Sequence, residues 1–240
     1  MQIEIHVRMK IGIITAMSAE YEQIAKLLSE SKTFAHGYLN YVEGSLGCHT
    51  IVLAQSGIGK VNAALGAVDM IRYCQPDCMV STGVAGGLGA EVNVMDVVVG
   101  HEIAYHDVWC GSGNEYGQVQ GLPLFYPCDE SLYHAAMSLF TPTTIHGGLI
   151  CTGDQFVESP RQWKTITEHF PRALATDMES AAIAQVCYLH KKPFISFRII
   201  SDTLQKENNT KQYENFWQLM AEKSFAVTKQ FIMSISQKIE

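Results

Sequence analysis

From residue 176 the chain reads TDMESAAIAQVCYLHKKPFISFRIISD, and the spacing of its apolar positions changes at Lys191-Lys192-Pro193. Before that break, a segment without proline or glycine runs from Asp177 to His190. In it Ala182, Ile183, Val186 and Cys187 recur at the three-and-four spacing of a buried helical stripe. After the break, residues 194–200 are nearly all apolar, as in a parallel strand covered on both faces, and the run stops at Ser201-Asp202. The pattern predicts a helix followed by a strand, with Asp202 at the strand's carboxyl end, where open α/β sheets hold ligands. Glu179 falls on the helical stripe, and a carboxylate on an apolar face is costly unless something binds it. Each acid also has a purely structural reading: Thr176-x-x-Glu179 is a capping-box pattern, and Asp202 can cap whatever follows the strand. Together they frame a unit whose two ends face one pocket, which favours a site.

The remaining pattern extends this architecture. Residues 9–17, MKIGIITAM, read as a buried strand, with residues 1–8 an extension of it and Met9 a candidate start. Ser18 is placed to cap a helix running to about Leu28, which puts Glu20 in its first turn; by its position alone Glu20 reads as a surface carboxylate favoured by the helix dipole. Two strands, 37–46 and 49–55, precede SGIGKVNAALGAVDMIRYC. Gly57-x-Gly59 there follows a strand and opens a helix, but Asn62 stands at the third glycine position of a dinucleotide fingerprint and no P-loop pattern is present. Residues 78–90 read as a strand breaking into a glycine-rich turn at Gly83, Gly86 and Gly87, where backbone can approach a ligand. Residues 96–100 and 145–153 are further strands, and a helix from about Tyr213 to Lys238 closes the chain. Between the two strands, residues 105–126 carry Tyr105, Trp109, Tyr116, Phe125 and Tyr126 among glycines and prolines, an ordered aromatic loop that covers something. No serine or cysteine nucleophile motif accompanies His106-Asp107, so that pair reads as structural.

Composition narrows the function. At 240 residues the chain fits one α/β domain, and its 47% hydrophobic and 17% charged content is that of an ordinary globular protein without a membrane-spanning run. A formal charge of −7 argues against nucleic acid as the main partner. Seven cysteines, mostly within apolar segments, read as reduced thiols of a cytoplasmic protein, and Cys74 and Cys78 lack the second ligand pair of a zinc site.

Taken in order, GIITAM with Glu20, SGIGKVNAALGA, STGVAGGL, DVVVG, AYHD, EYGQ, TGDQF, DMES and RIISD resemble the nucleoside phosphorylase/nucleosidase superfamily, and within it the 5′-methylthioadenosine/S-adenosylhomocysteine nucleosidases. The resemblance implies a single three-layer α/β/α domain with a mixed central sheet. It also implies hydrolysis of the N-glycosidic bond of adenine thionucleosides, extending to 5′-deoxyadenosine, with no metal or organic cofactor. By similarity, Asp202 is the general acid at N7 of the leaving adenine, supported by Ser201, and Glu20 is the base acting on water. Glu179 binds the ribose hydroxyls and Met178 lines the sugar. Phe156 stacks on the base and the Val157 backbone meets its edge. Met17, Ile58, Ala85, Gly86 and Tyr213 complete the substrate contacts. The general-acid role requires burial to raise the pKa of Asp202. The loop at 105–126 matches the family's segment that completes a partner's 5′ pocket, which implies a homodimer.

Two positions depart from the family pattern: Asp177 stands where many relatives have Glu, and Val84 where many have Ser. The segment after Asp202 is one residue longer than in well-known relatives. Three rival readings stay open on sequence alone. They are a futalosine-type hydrolase with the same acids, a phosphorolytic purine nucleoside phosphorylase, and a silent nucleoside-binding protein on the same scaffold.

Overall fold

Apolar runs of five to ten residues alternate along the chain with helical segments, and in the computed structural model, which describes residues 8–203, 209–219 and 221–235, they fold into one continuous sheet flanked by helices. In chain order the elements are β1 (Lys10–Thr15), α1 (Ser18–Ala25), β2 (Ser29–His36), β3 (Leu39–Leu46), β4 (His49–Gln55) and α2 (Lys60–Asp69), which continues as a π-helical turn, Met70–Cys74. Next come β5 (Cys78–Gly87), β6 (Val97–Tyr105), β7 (Tyr126–Pro127), α3 (Glu130–Met137), β8 (Ile145–Thr152) and α4 (Pro160–His169). The chain closes with β9 (Ala173–Asp177), α5 (Ser180–His190), β10 (Phe194–Thr203), α6 (Asn209–Leu219) and α7 (Ala221–Ser234).

The sheet is mixed. β1 lies between β4 and β5, parallel to both, and β4, β3 and β2 continue to one edge as an antiparallel meander. On the other side the sheet curls into a closed circuit: β5 pairs with β10, β10 with β6, β6 with β8, β8 with β9, and β9 returns to β5. One edge of β5 is therefore shared. β1 holds Cys78 to Ser81 and β9 holds Gly86 and Gly87, so the edge between them, residues 82–85, faces an opening where neighbouring strands diverge. Such a divergence at the carboxyl ends of parallel strands is the general ligand position of this architecture.

Helices cover both faces, giving the expected three layers. α2 and α5 bury Ala63, Ala67, Ala182, Ile183 and Cys187 against one face, and α1, α3, α6 and α7 bury Ile24, Leu132, Phe216, Phe231 and Ile232 against the other. β10 runs through the centre and is buried along its whole length; its Phe197 stacks on Phe231 with ring centroids 5.1 Å apart.

Several boundaries differ from the sequence reading. The stretch predicted as helix from Asp177 begins at Ser180, because Ala173–Asp177 is a short strand whose backbone pairs with β8. The predicted glycine-rich turn begins later than expected: Gly83, Gly86 and Gly87 are strand because β10 pairs with β5 that far, and the chain turns only at residues 88–90. β2 went unpredicted because it is a polar edge strand with no buried residue. Met17 rather than Ser18 caps α1, which ends at Ala25; the predicted closing helix starts earlier, at Asn209, and is described as α6 and α7, while its residues 220 and 236–238 lie outside the described residues. Residues 1–7, part of the predicted amino-terminal extension, and residues 204–208, part of the longer segment after Asp202, lie outside the described residues. Five of the seven cysteines are buried, and no helix among the described residues is long and apolar enough to cross a membrane.

Candidate active site

The opening beside β5 leads into a cavity with about 630 Å³ of space free of protein atoms, its mouth included. Four carboxylates line it: Asp177 at the end of β9, which is committed to an ion pair, and three from separate parts of the chain, Glu20 from α1, Glu179 from the turn between β9 and α5, and Asp202 from β10. Glu20, Glu179 and Asp202 are 1%, 6% and 3% exposed, which removes the surface reading of Glu20.

Glu20 is buried by contacts distant in sequence. Its Oε2 accepts the backbone N–H groups of Ala16 (2.9 Å) and Met17 (3.0 Å), the acidic half of a capping box, while Oε1 accepts the N–H of Val84 (2.9 Å) on the open edge of β5. Gly83 makes this approach feasible, since a β-carbon there would overlap the Glu20 carboxylate and lie 2.8 Å from Arg198 Nη1. Burial raises the pKa of Glu20, against the lowering influence of the Arg198 charge and the three N–H donors.

Glu179 occupies the N-cap position of α5 and not the apolar stripe, and it does not close a capping box with Thr176. Its Oε1 instead accepts the N–H of Gly59, 2.9 Å away at the start of α2, and Oε2 takes no hydrogen bond from any described residue. Gly59 has φ +94°, a conformation that favours glycine. The glycine turn that resembled a dinucleotide fingerprint thus presents its amides to protein carboxylates: Gly59 to Glu179, and Lys60 to Asp154 at 2.8 Å. Burial is the main reason the Glu179 pKa is pushed up to about 7; Arg198 lowers it, Asp177 and Glu20 raise it, and the Gly59 N–H lowers it.

Beneath these acids lies a buried polar network that the sequence reading did not identify. Arg198 and Asp177, both with side chains 1% exposed, form an ion pair of 2.8 Å. Arg198 also donates to Ser81 (2.6 Å), Ser180 (3.1 Å) and Ser196 (3.3 Å), while Asp177 accepts from Thr152 Oγ1 (2.5 Å), from the hydroxyl and N–H of Ser180, and from the N–H of Glu179. A signal for it was present in the sequence, because an arginine between Phe197 and Ile199 in an all-apolar strand must be paired where it is buried.

Asp202 reaches the cavity through a β-bulge. Ile200 pairs with Ala85 and Asp202 with Gly86, leaving Ser201 as the extra residue, so two consecutive side chains line one cavity, as regular alternation would not permit. Ser201 Oγ donates to Asp202 Oδ1 at 2.7 Å.

The other predicted contacts gather here too. Met17, Ile58, Ala85, Gly86, Val157, Met178 and Tyr213 all line the cavity. Phe156 stands at its mouth, edge-on to Tyr213 with centroids 5.7 Å apart, and the Tyr213 hydroxyl contacts Met17 Sδ at 3.4 Å. Thr176, which the sequence offers only as half of a capping box, also lines the cavity, with a buried hydroxyl that has no hydrogen-bond partner among the described residues. Val84 holds Glu20 through its backbone, so the missing hydroxyl does not loosen that acid. His106 and Asp107 lie away from the cavity; Asp107 pairs with Lys60. No cluster of three metal-ligating side chains occurs among the described residues. An aromatic wall, an apolar lining and three buried acids suit a flat heterocycle joined to a polyol that gains positive charge.

Residues 10–233 match the phosphorylase superfamily. The 5′-methylthioadenosine/S-adenosylhomocysteine nucleosidase of Chromohalobacter salexigens is 41% identical over 204 residues, which are 83% of this chain and 87% of that protein. Among solved structures, the nucleosidase of the same name from Neisseria meningitidis, in complex with methylthio-immucillin-A, superposes with a TM-score of 0.88 at 36% identity, covering 94% of this chain and 99% of that one. The corresponding nucleosidase of Colwellia psychrerythraea, in complex with adenine, gives 0.89 at 33% identity, covering 98% of each chain.

Proposed function

The chain belongs to the phosphorylase superfamily and, within it, to the 5′-methylthioadenosine/S-adenosylhomocysteine nucleosidases, and on that footing we propose how its own residues hydrolyse these nucleosides. The observation that carries the reading is the convergence of Glu20, Glu179 and Asp202, buried and from three elements, on one cavity with Phe156 at its mouth.

Adenine lies against Phe156, and Asp202, oriented by Ser201, gives its proton to N7 as the bond from C1′ to N9 breaks. The electron pair of that bond goes to the base, and the sugar passes through an oxocarbenium-like state. Glu179, anchored by Gly59 through one oxygen, offers the other to the ribose hydroxyls. Glu20 takes a proton from the water whose oxygen bonds to C1′. The products are adenine and the 5′-thioribose, and 5′-deoxyadenosine is hydrolysed by the same route.

Water is the better-matched nucleophile because the cavity is acidic. Phosphate, a multiply charged anion, requires a free cation such as an arginine fork beside it. Arg198, the buried cation nearest the site, is already engaged by Asp177 and three serines, and Lys60 by Asp107. We also propose a homodimer through residues 105–126 and α2. Ile58, Val61 and Leu65 form an exposed apolar stripe there, and the exposed Trp109 follows Asp107, whose bridge to Lys60 ties the loop to the same end of α2.

The test is adenine release from 5′-methylthioadenosine, S-adenosylhomocysteine, 5′-deoxyadenosine and futalosine-type substrates, with and without millimolar phosphate, the sugar product being identified by mass. Free thioribose formed equally well without phosphate is expected. A ribose 1-phosphate that forms only with phosphate present would make the enzyme a phosphorylase. For the dimer, Val61→Glu is expected to halve the mass seen by light scattering; a wild-type monomer would sink that part.

A further inference from the structure

The amino terminus of α2 joins three segments that the reaction chemistry leaves unconnected. Gly59 gives its N–H to Glu179. Lys60, the next residue, gives its backbone N–H to Asp154 Oδ1 at 2.8 Å, and its Nζ donates to both oxygens of Asp107 at 2.7 and 2.8 Å. The ammonium also lies 3.8 Å from Asp154 Oδ2 and 5.4 Å from the centre of the Tyr105 ring. The triangle closes between the two acids' own loops, since Asp154 donates its backbone N–H to Asp107 Oδ2 at 2.9 Å.

Each anchored residue stands at the root of a functional segment. Asp154 opens the stretch leading to Phe156 and Val157 at the cavity mouth, and Asp107 opens the long aromatic loop after β6. Phe156 is half exposed and touches Tyr213 only edge-on, so its own packing holds it weakly. The Lys60 side chain is 23% exposed and that of Asp107 17%, which leaves the bridge largely shielded from the solvent screening that makes surface pairs weak.

We propose that Lys60 is a positioning residue for purine binding. It fixes the root of the Phe156 segment relative to the helix end that anchors Glu179, and through Asp107 it couples the 105–126 loop to that geometry. This inference rests on the nucleosidase reading, because it assigns the purine to Phe156.

Lys60 touches no part of the reacting bond, so its loss weakens substrate and transition state alike and shows in KM, leaving kcat nearly unchanged. Lys60→Met and Asp107→Asn are each expected to raise KM for 5′-methylthioadenosine about tenfold, with kcat within about threefold of wild type. Lys60→Arg, whose guanidinium spans the same two acids, restores KM to within about threefold. The decisive measurement is a double-mutant cycle with Phe156→Ala: if Lys60 acts through the Phe156 segment, Lys60→Met adds less than about twofold to KM in that background. The dissociation constant of adenine, read by calorimetry on the same four proteins, follows the same pattern and needs no turnover. Multiplicative effects in the cycle, or a loss confined to kcat, overturn the inference while leaving the nucleosidase reading intact. Failure of the wild type to release adenine overturns the reading itself, and the calorimetric cycle then still decides whether Lys60 acts through Phe156.

Discussion

Asp177→Asn tests the buried network most directly, because it changes one charge and almost no volume. In the native protein each carboxylate oxygen is committed: Oδ2 to Arg198 Nε and the Ser180 hydroxyl, Oδ1 to Thr152 and the N–H groups of Glu179 and Ser180. An amide presents one NH₂ group, so whichever way it turns, a donor faces donors. In either orientation the Arg198 charge loses its counter-ion in a site where the pair is 1% exposed. Breaking a buried pair from one side costs about 3–5 kcal/mol. For a chain of this length, that predicts a fall in Tm of about 6–20 °C, at about 2–4 °C per kcal/mol. Calorimetric unfolding at pH 7.5 measures it, with Glu168→Gln, which breaks only the exposed helical pair to Lys164, as a control expected to change stability by less than about 0.5 kcal/mol. A second consequence is electrostatic. Asp177 raises the Glu179 pKa, so removing its charge lowers that pKa and moves the acid limb of kcat/KM to lower pH. A Tm within 2 °C of wild type (about 1 kcal/mol or less), or an acid limb that moves upward, would refute the network as described.

Asp202→Asn keeps the shape but cannot deliver a proton, and kcat is expected to fall by at least about a hundredfold with unchanged circular dichroism; activity near wild type would remove Asp202 from the mechanism. Glu179→Gln should abolish turnover yet raise Tm at pH 8 relative to wild type. The native carboxylate's pKa is raised to about 7, so its favourable contribution is present below its unfolded pKa and lost as pH rises through 7. An active but less stable variant would make Glu179 a helix cap and nothing more. Gly83→Ala places a methyl against Glu20 and Arg198, and overpacking of about 1–3 kcal/mol in thermal unfolding is expected together with loss of turnover. Gly86→Ala meets only ordinary contacts of 3.4 and 3.6 Å and should leave Tm unchanged; equal destabilisation of the two would discount the crowding at Gly83.

What the sequence revealed depended on how local each cause is. The apolar run ending at Ser201-Asp202 was legible because burial of β10 on both faces writes itself directly into composition. The bulge that lets both residues face the cavity was not, since it is set by register against β5. Glu20 read as a surface residue because the helix turn that carries it is ordinary; its burial comes from Val84, 64 residues away, at an edge left open by two diverging strands. Glu179 was singled out for the wrong reason. It was placed on a helical stripe, whereas it sits at the helix end with its partner on α2, 120 residues away. ALATD is too short and too irregular to announce β9, and without that strand Asp177 could not be seen as the partner of Arg198. The family resemblance supplied the three acids as a set, but it carried neither the network beneath them nor Lys60.

The balance of charge in the cavity bears on what such an arrangement can do. Glu20, Asp177, Glu179 and Asp202 are all buried there, and Arg198 is the only fully buried cation among the described residues. Burial raises the pKa values of Glu20 and Glu179, and Arg198, in direct contact with Asp177, only partly offsets it. Their ionised forms are disfavoured by that burial, a local cost to stability. On the proposed reading, the missing positive charge forms at the sugar when the glycosidic bond breaks, close to the two carboxylates that lack a full counter-ion. Their ionised forms then interact more strongly with the transition state than with the neutral nucleoside, which is the condition for an interaction to accelerate the chemistry rather than merely to bind. A free cation in the cavity would offset that cost and weaken the difference. The engagement of Arg198 by Asp177 and three serines is therefore as much a part of the site's chemistry as the acids themselves.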